Sequence, residues 1–121
     1  MPNIAPGQRY PESNAWVDIS DVLINDWETI ASTRFFKAMA QGNTATLNGS
    51  IVIGTSLTAG TIPEEYRPSI TESFTGFLRG YGPIELQMTA NGLLFIPSFT
   101  WPGDEHLGGI LLFTYSYQRR A

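Results

Sequence analysis

From residue 33 onward the chain alternates apolar and polar positions. Phe35, Lys37 and Met39 are set against Phe36, Ala38 and Ala40. After Gln41-Gly42-Asn43 the alternation resumes, with Thr44, Thr46, Asn48 and Ser50 against Ala45, Leu47, Gly49 and Ile51. A period of two puts successive side chains on opposite faces of a strand, and Gly and Asn between the two runs tolerate the positive φ of a tight hairpin turn. The pattern predicts a hairpin whose second strand continues through Val52 and Ile53 to Gly54. Residues 73–81 and 84–88 predict two more strands, broken at Gly82-Pro83. Ala90-Asn91-Gly92 then turns the chain into Leu93-Leu94-Phe95-Ile96, an Asn-Gly hairpin signal. Ile110 to Tyr117 predicts the closing strand, with Tyr115 and Tyr117 on one face.

The first quarter is less regular. Val17, Ile19 and Val22, interleaved with Asp18, Ser20 and Asp21, predict a short strand running into a turn. Residues 23–32 fit either a short helix capped by Asn25 or Asp26, or a loop. Residues 1–14, with Pro2, Pro6, Gly7 and Pro11 and no hydrophobic period, predict an extended arm. Residues 15–121 then predict a single folded β-domain. Six to eight short strands with glycine-rich turns predict an all-β, antiparallel sandwich or barrel.

One connection stands apart, the segment Gly60-Thr61-Ile62-Pro63-Glu64-Glu65-Tyr66-Arg67-Pro68-Ser69. Each proline fixes φ, removes a donor and pushes the residue before it toward extended geometry. The segment reads as a stiff, irregular crossing in which Tyr66 lays its ring on the core and Arg67 lies along an apolar surface with its head in water. Glu64-Glu65 and Arg119-Arg120 read as solvated pairs, and Trp16 and Trp27 as plugs at the ends of the fold or at a subunit contact.

Composition narrows the function. With 121 residues, 42% hydrophobic and only 15% charged, the chain suits one packed domain and leaves much uncharged surface for burial against a neighbour. A net charge of −4 with scattered basic residues disfavours nucleic acid. There is no cysteine, so disulfides, thiolate nucleophiles and Cys-based zinc sites are excluded. No apolar run has the length of a membrane span and the N-terminus lacks a signal-peptide layout, so the expectation is a product made in the cytoplasm without membrane insertion. No cofactor or metal is implied.

Catalysis finds little to build on. His106 is the one histidine, and a Ser-His-Asp arrangement would need a serine and a carboxylate that the sequence does not place. Glu64-Glu65 and Asp104-Glu105 are neighbours, which point to opposite faces in extended chain and imply no shared pocket. A binding site fits best in the loop from Phe99 to Gly109. It gathers Trp101, Asp104, Glu105 and His106 between two strands. An indole face stacks on the C–H face of a sugar ring, and carboxylate and imidazole groups bond its hydroxyls. The alternative is that Trp101 merely caps the core and His106 is wet.

The order of segments carries a resemblance. Thr46-Leu47-Asn48-Gly49-Ser50-Ile51-Val52-Ile53-Gly54-Thr55, then Gly60 to Ser69, then Ile84 to Phe95 with its Asn91-Gly92 turn, preceded by Trp16 and the Leu23, Asn25, Trp27 phrase, resembles the C-terminal head domains of bacteriophage tail-fibre, baseplate and head-fibre proteins, of the lactococcal-phage-adhesin kind. The resemblance spans about residues 15 to 117. It implies a compact β-sandwich head of jelly-roll or adenovirus-knob type, assembled as a homotrimer and exposed on the virion. It also implies attachment to a host cell-wall saccharide through tryptophan, histidine, aspartate and arginine side chains, often at clefts between protomers. Such proteins carry a trimerising shaft, for which this sequence offers only residues 1–14. The expectation is that the arm docks onto other virion proteins, or that another chain supplies the shaft. A structural capsid-decoration, head-fibre or baseplate component without its own ligand is the alternative.

Overall fold

The computed structural model describes residues 15–29 and 33–120, so the arm expected at 1–14 lies outside the described residues. Eight strands form: β1 (Val17–Asp18), β2 (Phe35–Gln41), β3 (Thr44–Val52), β4 (Thr58–Thr61), β5 (Glu72–Leu78), β6 (Gly82–Met88), β7 (Leu93–Phe95) and β8 (Ile110–Gln118). They make one antiparallel sheet in the order β1-β2-β3-β8-β5-β6-β7-β4. Among the described residues the only helical pieces are single 3-10 turns, so the all-β expectation holds.

The last strand organises the sheet. β8 pairs with β3 from Thr44↔Gln118 to Val52↔Ile110, but meets β5 only at Phe77↔Leu112 and Leu78↔Leu111. Beyond that contact β8 leaves β5. Its far end binds the proline-bracketed crossing instead, with the Ser69 amide donating to the Gln118 carbonyl (3.2 Å) and the Arg120 amide to the Arg67 carbonyl (2.8 Å). The sheet therefore curls into a half-barrel, with β1-β2-β3-β8 on one side of the core and β5-β6-β7-β4 on the other. Its edges are drawn together where Leu23 bridges Gly60 and the Ile24 amide donates to the Ala59 carbonyl (2.9 Å).

The inner face is the apolar half of each alternating run: Ala45, Leu47 and Ile51 from β3, Phe74 and Leu78 from β5, Ile84, Leu86 and Met88 from β6, and Leu111 and Phe113 from β8, all buried. Rings interlock across the curl. Phe113 meets Phe36 edge-on at 6.0 Å and Phe74 at 5.7 Å, while Tyr115 stacks on Phe74 at 4.4 Å. Each fully buried side chain of this size adds roughly 1.5–3 kcal/mol, so a one-residue slip that turned a strand inside out would forfeit several of these at once.

Three local expectations are refined and one strand is new. The β5–β6 turn lies at Arg79–Tyr81, and Gly82-Pro83 already belong to β6. Proline is tolerated there because β6 pairs with β7 only from Gln87 onward, which leaves Pro83 at a free edge on that side. Of the two readings for residues 23–32, the described part is a loop. Asn25 and Asp26 take positive φ (56° and 67°), a conformation their short polar side chains tolerate, and Glu28 bridges Val52. β4, Thr-Ala-Gly-Thr, had no apolar alternation to announce it. Arg119 is a brace instead of a solvated tail: its Nε donates to the Gly42 carbonyl and its Nη1 to the Glu65 carbonyl, both at 2.8 Å.

The crossing behaves as its prolines dictate, with one 3-10 turn at Glu64–Tyr66 and the Tyr66 ring buried. The Arg67 head is part-buried, its Nε donating to the Ile62 carbonyl at 2.9 Å.

The two ends of the half-barrel differ. Asp18 and Val17 pair with Lys37 and Ala38, so the chain enters at the end that carries the Gly42-Asn43 turn. It leaves at the same end, where the Arg119 amide bonds the Asn43 carbonyl (2.7 Å). The opposite end carries the Arg79–Tyr81 turn, Gly54 and the loop that leads into β8.

Candidate functional site

The loop between β7 and β8 is short-tethered at both ends. After Pro97, a 3-10 turn over Ser98–Thr100 is closed by the Thr100 hydroxyl donating to the Pro97 carbonyl (2.9 Å). A second turn, Asp104–His106, follows Gly103. Gly103 has φ 136°, a conformation that strains any side chain, while the nearby Glu105 carboxylate is exposed and free to swing aside. The loop then locks onto the end of β3: the Gly108 amide donates to the Ile53 carbonyl (2.9 Å) and the Ile53 amide to the Gly109 carbonyl (2.8 Å).

These turns bring all four expected residues together. Trp101 packs part of its indole on the core and donates its Nε1–H to Asp104 Oδ1 at 3.1 Å. His106 stands edge-on to Trp101 with ring centres 6.3 Å apart, and Glu105 Oε2 lies 3.8 Å from His106 Nε2. Asp104 and Glu105 are exposed; His106 is partly covered. The carboxylate of Asp104 therefore has two jobs available to it. One oxygen holds the indole, and the remaining acceptor positions face solvent.

Two aromatic members were not anticipated. Tyr81, from the β5–β6 turn, meets the His106 ring edge-on at 5.1 Å and is 53% exposed. Its sequence signal is the Gly80-Tyr81-Gly82 context, an aromatic held between two turn-formers and so unable to be a buried strand residue. Phe99, on the first 3-10 turn, is 80% exposed, more than its apolar ring would choose in water. The result is an aromatic rim with carboxylates at its margin, at the end remote from where the chain enters and leaves.

Among the described residues no three His, Asp or Glu side chains gather into a metal-binding group. The imidazole of His106 is flanked by rings and one carboxylate, and no serine hydroxyl of the described residues bonds it.

Two concave regions lie elsewhere. One of about 500 Å³ sits at the end where the chain enters and leaves, lined by Gly42, Asn43, Glu64, Glu65, Arg119 and Arg120. Another of about 330 Å³ lies beside β1 and includes Trp16, Asp18, Arg34, Phe35 and Lys37, with the Lys37 ammonium 5.0 Å from the Trp16 ring and 4.8 Å from the Phe35 ring. Trp27 is the plug the sequence suggested, buried with its Nε1–H on the Ser56 carbonyl (2.8 Å), whereas Trp16 is 42% exposed.

The fold is similar to that of the receptor-binding head domain of lactococcal phage bIL170, with a TM-score of 0.59, at 16% identity over 88% of this chain and 99% of that one. The chain shares the fold of that head domain. The receptor-binding protein of Listeria phage PSA is similar to the same degree, with a TM-score of 0.58 and 15% identity over 88% of this chain and 68% of that one. No protein-family model and no curated protein matches the chain. At this identity the likeness of the receptor-binding heads is one of backbone architecture. Among the described residues, no helix is long and apolar enough to cross a membrane.

Proposed function

We propose that this receptor-binding head fold serves the role its neighbours are named for: a bacteriophage virion protein, made in the host cytoplasm and exposed on the particle, that attaches to a host cell-wall saccharide. The observation that carries the reading is the placement of the rim. Trp101, Asp104, Glu105, His106, Tyr81 and Phe99 lie at the end opposite Ala15 and Arg120, so a head anchored through residues 1–14 to other virion proteins presents these groups outward. The function is adhesion, not catalysis.

In this reading Trp101 is the stacking platform, and Asp104, Glu105 and His106 take sugar hydroxyls. An aromatic face and a pair of charge-assisted hydrogen bonds contribute roughly 1–3 kcal/mol each, so one site is weak. A homotrimer, displayed many times on a particle, converts weak contacts into firm attachment through effective concentration.

One feature favours a second reading. Trp101 is part-buried and its indole N–H is spent within the loop, which is what a cap over the core requires of it; the protein would then be a decoration or baseplate component without a ligand. Binding of labelled protein to intact bacterial cells and to their isolated wall glycans separates the two. The adhesin binds both and is competed by soluble glycan, and a structural component gives no signal on either.

A further inference from the structure

β1 is a terminal strand of the sheet, and the cleft of about 330 Å³ beside it holds two cations, Arg34 and Lys37, among Trp16, Phe35, Asp18 and Thr29. Phe35 and Lys37 are two apart on β2 and share its outer face. Asp18 pairs with Lys37 in register, yet the lysine does not take that carboxylate. Its ammonium lies 5.0 Å from the Trp16 ring and 4.8 Å from the Phe35 ring, while Asp18 Oδ1 accepts the Ser20 amide at 2.9 Å. Arg34 is part-buried. It donates to the hydroxyls of Ser50 (2.5 Å) and Thr33 (3.2 Å), which leaves guanidinium N–H groups to spare. Neither cation forms an ion pair with a described residue. Of the acids on this flank, Asp21 and Glu28 are exposed and stand outside the cleft, and Asp18 alone lines it.

Two half-covered cations on one hollow, with no carboxylate paired to either, are an arrangement that an anion relieves, because a partly desolvated charge gains most from an opposite one. A bare inorganic anion would leave the rest of the cleft idle. Trp16 and Phe35 keep 42% and 37% of their surface exposed, and the second Asp18 oxygen and the Thr29 hydroxyl are polar groups beside those rings. We propose that the cleft is a binding site, contained in one copy of the chain and separate from the rim, for a sugar unit that bears a carboxylate or a phosphate. Arg34 and Lys37 take the anion, the arginine by its planar fork. The Trp16 and Phe35 rings cover the C–H face of the sugar, and Asp18 and Thr29 bond its hydroxyls. The volume is at the small end of ordinary ligand sites, which suits one sugar unit with its substituent. The rim, with Asp104 and Glu105 exposed, disfavours the same ligand. The cleft therefore stands on its own observations, whether or not the rim binds.

The test is an amide-shift titration of the full chain with glucuronate, glucose 6-phosphate, glucose and inorganic phosphate. At least one acidic sugar is expected to bind saturably, on the order of millimolar, with shifts at residues 16–20 and 34–37 and not at 99–107, and to weaken as salt is raised. Which of the two binds tells carboxylate from phosphate. Glucose and inorganic phosphate should each bind roughly tenfold more weakly or worse. Lys37→Gln and Arg34→Gln should each lose about tenfold for the acidic sugar, and Trp16→Ala should lose the sugar while keeping the weak phosphate response. Melting curves accompany each variant; Lys37 contacts only exposed rings, so Lys37→Gln keeps the test open should Arg34→Gln disturb Ser50. No saturation by either acidic sugar at about 50 mM, glucose or phosphate binding as well as they do, or a folded Lys37→Gln protein that binds like the parent overturns the proposal. The cell-binding assay judges the rim separately.

Discussion

Tyr117, near the end of β8, donates its hydroxyl to the main-chain carbonyl of Tyr66 at 2.5 Å, both side chains being buried. The bond fastens the last strand to the proline-bracketed crossing at the point where β8 has parted from β5. It is also why two prolines there do not leave the backbone short of partners: the Tyr66 carbonyl, inside the fold, is satisfied by a side chain. Tyr117→Phe keeps the ring and strands that carbonyl, so the expected loss is about 1–3 kcal/mol, measured by urea unfolding. A variant as stable as the parent would show that the carbonyl finds another partner.

Alkaline pH is expected to unfold the protein by way of two phenols. Tyr115 donates to the Glu72 carboxylate at 2.6 Å, and that bond, with burial and the carboxylate's charge, pushes the Tyr115 pKa from near 10 up to about 12. Burial first, and then Glu72 and Tyr66, push Tyr117 higher still. The folded state thus holds protons that the unfolded state releases above its ordinary phenol pKa. The stability owed to these bonds is fully present below about pH 10 and is lost as pH rises through about 12. Urea midpoints should be level from neutral pH to about pH 9 and fall beyond it, with a shallower fall in Tyr115→Phe. An equally steep fall in that variant would place the cause elsewhere.

The strands that the sequence announced are those with a free choice of faces. In β3, Ala45, Leu47 and Ile51 go inward and Thr44, Thr46 and Asn48 outward, and the Gly42-Asn43 and Asn91-Gly92 turns fall where their φ tolerance puts them. β4 was illegible because Ala59 and Gly60 carry no alternation; that strand exists through its partners, Leu93 to Phe95 in β7 and Leu23 across the closing edge. The same holds for the site. Trp101, Asp104 and His106 are close in sequence and could be grouped by eye, whereas Tyr81 reaches them only because β5 and β8 meet at Leu78↔Leu111. The exposure of Phe35 and Phe77 was hidden for the opposite reason: both look like core residues until pairing shows which way they face.

Gly54 has no room for a side chain. A Cβ there would fall 2.0 Å from the Asn25 carbonyl oxygen and 2.5 Å from the Trp27 amide nitrogen, all of it backbone. Gly80, by contrast, has φ 83° and open space around it, so Gly80→Ala should cost only the left-handed penalty of about 1–2 kcal/mol. Gly54→Ala must displace the 25–27 segment and with it the buried Trp27, and should cost clearly more. Paired chemical denaturation of the two variants checks the order; equal losses would mean that the segment yields freely.

The rim can be dissected because Trp101 and Asp104 are bonded to each other. Trp101→Ala removes the stacking face and frees the carboxylate; Asp104→Ala leaves the indole without an acceptor; Asp104→Asn keeps an acceptor oxygen for the indole N–H and removes only the charge. If the loop is the saccharide site, each alanine variant should lose about tenfold in single-site affinity, equivalent to about 1.4 kcal/mol, and more than that on whole cells, where losses at several sites compound. Asp104→Asn should fall between parent and Asp104→Ala, since the loop keeps its shape while a charge-assisted bond becomes a neutral one. Each variant is first compared with the parent by melting curve and sedimentation, then by binding to cells and wall glycan. Should both alanine variants fold, assemble and bind as the parent does, the Trp101–Asp104 pair is a cap that holds the loop to the core, and attachment belongs to another surface of the head.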